Sequence, residues 1–201
     1  MTIKKAPSPG LPEFELVRNG ILWIQRFLYE YNCVVPQPTP ELGRRLHQST
    51  MAVAPHFFAM LPWLFLNEAA MGIARLLDPA RTAKQTNLSM GTMVNHCSWL
   101  QPKRKDQYLR HLDDLRGSAP ALAIRNVRNK LLAHVDYETA LDPAQRTTYA
   151  ALERNVAMIA RQLADLLDGI RPPGYPPLTH PRRERKWKGV ETVLRHLAAS
   201  Q

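Results

Sequence analysis

The chain has 201 residues and a mass of 22.9 kDa, the size of one large domain or two small ones. Its 45% apolar and 22% charged residues describe a globular chain rather than a disordered one, and 9 Gly against 17 Pro exclude collagen-like and Gly-rich flexible architectures. A formal charge of +10 and a pI near 10.0 favour an anionic partner, nucleic acid first and an acidic membrane second. The two cysteines, Cys33 and Cys97, are too few and too far apart for a disulfide framework or a four-thiolate zinc site, so a reducing, cytoplasmic setting is expected. No apolar segment follows the basic residues of Met1 to Gly10, so no signal peptide is expected. The longest apolar stretch, Met51 to Leu66, holds His56 and two prolines and falls short of the roughly 20 residues of a bilayer span. It is expected to be a buried core helix, not a membrane segment.

Helical patterning dominates from the start. Leu16, Ile21, Ile24, Phe27, Leu28 and Tyr31 mark a first helix over Leu11 to Tyr31, ended by the prolines that follow Val35. Thr39 and Pro40 have the types that open a second helix, running to about Ala52. A third covers Pro55 to Leu77, with bends expected near Pro55 and Pro62, and Asp78-Pro79 ends it. Ala80 to Leu88 is a polar loop. Ser89 is a cap for a short helix reaching Trp99, and Lys103 to Leu115 forms the next, stopped at Gly117. Ser118-Ala-Pro120 opens a helix to about His134, and the last long one spans Pro143 to Ile170. Nothing alternates as a strand would, and no fixed-period repeat is present. An all-α, up-and-down helical bundle is expected.

The C-terminal segment differs in character. Residues 171–201 carry seven Lys or Arg and two acids, against twenty and fifteen in the first 170, so each part nets +5. Five prolines between Arg171 and Pro181 forbid a helix and favour an extended connector. A basic run follows, Arg182, Arg183, Arg185, Lys186, Trp187 and Lys188, and then a short helix over Val190 to Ala199. The division is therefore a helical body over 11–170 and a Pro-rich connector with a basic tail over 171–201. Trp187 either stacks on a base or anchors the tail to the body.

One stretch breaks a local rule. On a wheel of about 100° per residue, Ile124, Val127, Leu131, Leu132 and Val135 form one apolar face, and Arg128 lies inside it with His134 at its edge. Asn126, Asn129 and Lys130 take the wet side. An arginine in such a stripe must pair with a carboxylate on a neighbouring helix, snorkel out, or line a site for an anion.

The segment Arg128-Asn-Lys-Leu-Leu-Ala-His134-Val-Asp136 resembles the signature of the HEPN superfamily, an Arg followed by a polar residue with a His four to six positions on. It is most similar to the abortive-infection branch of Abi U type. Two further stretches resemble that group's helix end and helix start: Ala74-Arg-Leu-Leu-Asp78-Pro79-Ala80-Arg81, and Asn87-Leu-Ser89. The resemblance covers roughly residues 11–170 and implies a HEPN-type bundle with a metal-independent endoribonuclease activity, of bacterial defence or toxin–antitoxin type. In that reaction the ribose 2′-OH attacks the adjacent phosphorus and expels the 5′-oxygen. It implies His134 for proton transfer, Arg128 for the phosphate charge, Asn129 for orientation, and Asp136 as a support for the His tautomer or a cap of the following turn. RNA is the implied partner, no cofactor is needed, and an antitoxin protein is a possible one.

Along one regular helix Arg128 and His134 stand about 9 Å apart in rise and about 120° in azimuth. They meet on one phosphate only if the helix unwinds or if two copies pair about a twofold axis, and the resemblance implies a homodimer too. Arg81 and Lys84 are candidates for guiding RNA, while Arg75 is accounted for by the helix dipole. The seven histidines show no metal-ligand spacing, and no phosphate loop or nucleophile elbow occurs. Phe57, Phe58, Trp63 and Phe65 are expected in the core or a dimer interface. The alternatives to an enzyme are a non-catalytic helical RNA-binding or regulatory module and a basic scaffold without a nucleic-acid role.

Overall fold

Helix formation begins at Gly10, whose φ of 90° suits a residue without a side chain. A Cβ there would fall 2.4 Å from the His96 carbonyl oxygen, so the backbone could not come this close with any other residue. The computed structural model describes residues 9–35, 48, 52–82, 85–132, 149–178 and 192–193. From Gly10 run α1 (Leu11–Val34), α2 (Pro55–Leu77), a hairpin of β1 (Arg81–Thr82) and β2 (Gln85–Thr86), α3 (Met90–His96) and α4 (Pro102–Gly117). Then come α5 (Ala119–Asn126), continued by a π-helical turn over Val127–Leu132, and α6 (Tyr149–Gly169). The fold is all-α, with the four-residue hairpin as its one sheet among the described residues. The expected helix from Thr39 to Ala52 lies outside the described residues, apart from single helical positions at its end. The tail helix does too, apart from Thr192 and Val193.

The core follows the helical period. Phe14, Val17, Ile21 and Ile24 line one side of α1, and Leu152, Val156, Ile159, Leu163 and Leu167 one side of α6, all nearly inaccessible. Leu16, assigned above to the apolar series of α1, is instead 54% exposed, one step round the helix from Val17. Helices α1 and α2 pack antiparallel. Gly20 lies against Leu76 and Gly72 against Ile24, where a Cβ on Gly72 would sit 2.8 Å from an Ile24 carbon. The other end of α1 meets the start of α6 through Tyr31, whose hydroxyl donates to Glu153 at 3.2 Å.

Several boundaries differ from the sequence reading, each for a local reason. Helix α3 stops at His96 rather than Trp99, because Cys97 turns extended and its N–H closes the last turn on Met93 and Val94. The loop after Asp78 forms a hairpin, with Arg81 opposite Thr86 and Thr82 opposite Gln85, too short for strand alternation to register. The regular helix expected to His134 changes to i→i+5 geometry at Val127, so the 100° wheel does not extend past that residue. The apolar stretch 51–66 is not a buried core helix. In α2 the buried apolar side chains are Leu61 and then Leu66, Ala69, Ala70, Ile73, Ala74, Leu76 and Leu77, but Phe57, Met60 and Leu64 are 59%, 68% and 52% exposed and Trp63 is 38% exposed. Phe57 and Trp63 are thus outside the core, while Phe65 packs partly buried against it and stacks on Phe27. By length and composition α2 is apolar enough to cross a membrane, and 39% of its most apolar window is buried inside the protein.

The connector is moored rather than free at its start. Tyr175 meets the Phe14 ring edge-on, its centroid 5.2 Å away, and donates its hydroxyl to Glu15. The Leu178 N–H donates to Asp168 at 2.9 Å. Glu15, as acceptor and neighbouring charge, pushes the Tyr175 phenol above its ordinary range, with burial adding to the effect. Neither cysteine forms a disulfide. Cys97 is buried, which pushes its thiol up to about 12, whereas Cys33 is half-buried.

Candidate functional site

The end of α2 is built from both sides. A helix leaves its last carbonyls without partners, and Arg116 of α4 supplies them: Nε donates to the Leu77 carbonyl at 2.7 Å and Nη2 to the Asp78 carbonyl at 3.0 Å. Its Nη1 donates to Asp113 at 2.7 Å. A guanidinium here also meets the negative end of the helix dipole. Beyond Asp78 the chain is held by Asn87, whose side-chain amide donates to the Pro79 carbonyl at 2.8 Å and whose N–H donates to Ala80. Thr92 donates in turn to the Asn87 carbonyl, and Ser89 caps α3 by accepting from the Thr92 N–H at 3.3 Å. The two short stretches noted in sequence, Asp78-Pro79 and Asn87-Leu-Ser89, are therefore two halves of one hydrogen-bonded corner.

That corner aims the Asp78 carboxylate at Arg128. Nη1 of Arg128 donates to Oδ1 of Asp78 at 2.6 Å, a charge-assisted bond between side chains 28% and 25% exposed. Val127, only 2% exposed, fixes the backbone next to it, and Ser118 caps α5 by accepting from the Ala121 N–H at 3.4 Å. Of the three outcomes open to Arg128 in sequence, the structure displays pairing with a carboxylate. Nη1 is taken, and among the described residues Nε and Nη2 have no partner. Sequence reasoning missed Asp78 as that partner and Arg116 as its clamp. The signal was present only as an Asp at a helix end, fifty positions from the arginine.

The other proposed positions divide as follows. Asn129 follows Arg128 in the π-helical turn and is exposed. Arg81 is exposed at the first position of the hairpin, three residues beyond Asp78. His134, Asp136, Lys84, Arg182, Arg183, Arg185, Lys186, Trp187 and Lys188 lie outside the described residues. Beside the Arg128–Asp78 pair is a cavity of about 20 Å³, lined by Leu77, Asp78, Arg116, Ile124 and Arg125 among others, enough for a water-sized group. Among the described residues no group of three or more His, Cys, Asp or Glu is placed to hold a metal.

A guanidinium partly open to solvent and held by a carboxylate on one nitrogen can receive one face of a phosphate. No curated protein and no solved structure matches the chain. A family model described as AbiU2 (HEPN_AbiU2) matches residues 12–185, almost the whole helical body together with the connector. The chain therefore belongs to this HEPN-type family of abortive-infection proteins.

Proposed function

We propose that the chain is a metal-independent endoribonuclease of bacterial defence or toxin–antitoxin type. Arg128 holds the scissile phosphate and His134 moves the proton as the 2′-oxygen attacks phosphorus and the 5′-oxygen leaves. The observation that carries this reading is the position of Arg128. Its Nη1 is anchored on Asp78 while Nε and Nη2 have no partner among the described residues, so the group is oriented before substrate arrives. Asn129, exposed on the same turn, orients the phosphate or the imidazole. Asp136 supports the His134 tautomer, and Arg81 and Lys84 guide the RNA strand. Arg182, Arg183, Arg185, Lys186 and Lys188 add contacts to the RNA backbone, with Trp187 stacking on a base.

The π-helical turn bears on assembly. It contains Arg128 and runs on to Leu132, so the 120° separation calculated for a regular helix does not by itself force Arg128 and His134 onto different subunits. A cytoplasmic homodimer remains the proposed form, supported by the exposed apolar side chains of α2. An antitoxin protein is a further proposed partner.

The Asp78 pairing favours a second reading, in which Arg128 is a structural or phosphate-binding group in a non-catalytic RNA-binding or regulatory module. One experiment separates the two. Wild type and His134→Ala are incubated with total RNA in EDTA. Cleavage by wild type alone, leaving cyclic-phosphate ends, supports the enzyme. Binding by both without cleavage supports the module, and neither binding nor cleavage rejects both.

A further inference from the structure

We propose that Arg125 is a second phosphate-binding residue, taking the RNA phosphate next to the one at Arg128. The inference rests on the reading above for the identity of the polyanion, but not on cleavage.

The argument is one of charges already engaged. Around the end of α2, Asp78 and Asp113 are the carboxylates in contact with arginine. Asp78 is held by Arg128 and Asp113 by Arg116. Arg116 is committed at all three nitrogens, to two carbonyls and a carboxylate. Arg125 shares the wall of the small cavity with Asp78 and Arg116, is exposed, and makes no ion pair or hydrogen bond among the described residues. Among the described residues its guanidinium has no carboxylate in contact, whereas those of Arg116 and Arg128 do.

Placement supports the assignment. Arg125 and Arg128 lie on either side of the junction of α5 with the π-helical turn, and both border Asp78, Arg125 through the cavity wall and Arg128 through its ion pair. Two guanidinium groups that share one carboxylate as a neighbour are placed for two successive phosphates of one strand. The cavity that Arg125 and Arg116 line together with Asp78 and Ile124 is about 20 Å³, the space of one water, so Arg125 meets a strand at the surface and not within a base pocket. A backbone contact of this kind predicts affinity without sequence preference.

The test uses the full chain and a fluorescein-labelled 2′-O-methyl oligouridylate, which lacks the attacking hydroxyl and reports binding alone. Each single-strand phosphate contact contributes about 0.7 to the slope of log K against log salt, which at about 50 mM salt corresponds to roughly eightfold in affinity relative to 1 M. Arg125→Gln is expected to lose about that factor and to flatten the slope by about 0.7, while Arg125→Lys keeps most of both. Arg104→Gln, exposed near the far end of α4, is the control and is expected to change little. On cleavable RNA, Arg125→Gln raises KM and leaves kcat near wild type. An Arg125→Gln protein with the wild-type slope and affinity, or one no different from the Arg104 control, overturns the assignment. A wild type that binds the oligonucleotide but cleaves no RNA removes the ribonuclease reading and leaves Arg125 testable by the same titration. Failure of wild type to bind overturns this inference as well.

Discussion

Replacing Arg128 by Gln removes the cation that faces Asp78, and the size of the loss follows from the surroundings of the pair. Fully exposed pairs contribute about 0–1 kcal/mol, and stripping the partner from a buried charge costs about 3–5 kcal/mol. Here both side chains are about three-quarters covered, at 28% and 25% exposure, so water still reaches and partly screens the carboxylate left behind. We expect about 1–2 kcal/mol for Arg128→Gln. Asp78→Asn should cost less, about 0.5–1 kcal/mol, because an amide oxygen still accepts from Nη1. At roughly 2–4 °C per kcal/mol for a chain of this size, the Arg128 variant melts about 2–8 °C below wild type. The assay is a double-mutant cycle on urea unfolding of wild type, both single variants and the double. A coupling energy of about 0.5–1 kcal/mol supports a carboxylate that orients the guanidinium. Strict additivity of the two substitutions would refute the reasoning, since Asp78 would then be a bystander to Arg128.

Gly10→Ala places a left-handed alanine against the His96 carbonyl and should destabilise the fold by at least about 2 kcal/mol; a melting temperature equal to wild type contradicts that close approach. The hydrogen bond from His96, 2.8 Å away, holds the Glu13 carboxyl below its usual value of 4.5, so its stabilising contribution is complete above pH 4.5 and lost as pH falls through the lowered value. Glu13→Gln should therefore lose less stability than wild type between pH 4.5 and 3 in urea titrations, and superimposable curves would remove the link. Phe57, Met60 and Leu64 recur at helical spacing on the outside of α2, so Met60→Glu should shift a self-associated species toward monomer in sedimentation velocity. An unchanged assembly places the contact elsewhere.

Much of the architecture was legible because it is set locally. Ser89 and Ser118 cap helices where their types and spacing predicted, and α2 begins and ends at the expected prolines. What escaped depends on neighbours distant in the chain. The helical period placed Arg128 inside an apolar face but did not reveal Asp78 or the Arg116 clamp that fixes it, because those contacts cross 50 and 38 positions. The change to π-helical geometry at Val127 has no composition signal, and it undoes a wheel that assumed one angle throughout. Hydropathy identified Phe57 and Trp63 as apolar without telling which side of α2 faces neighbours, and both are exposed. The hairpin at Arg81 to Thr86 arises where Asn87 fastens the chain to Pro79 and Ala80.

The unlike environments of the two cysteines give the protein a natural reporter position. With Cys97 sealed in the interior and its thiol pushed up to about 12, a maleimide at neutral pH is expected to select Cys33, the more open of the two. A single dye or spin probe can thus be installed on native sequence near the end of α1, far along the bundle from Asp78, and distances to an RNA end can be read without engineering a second thiol away.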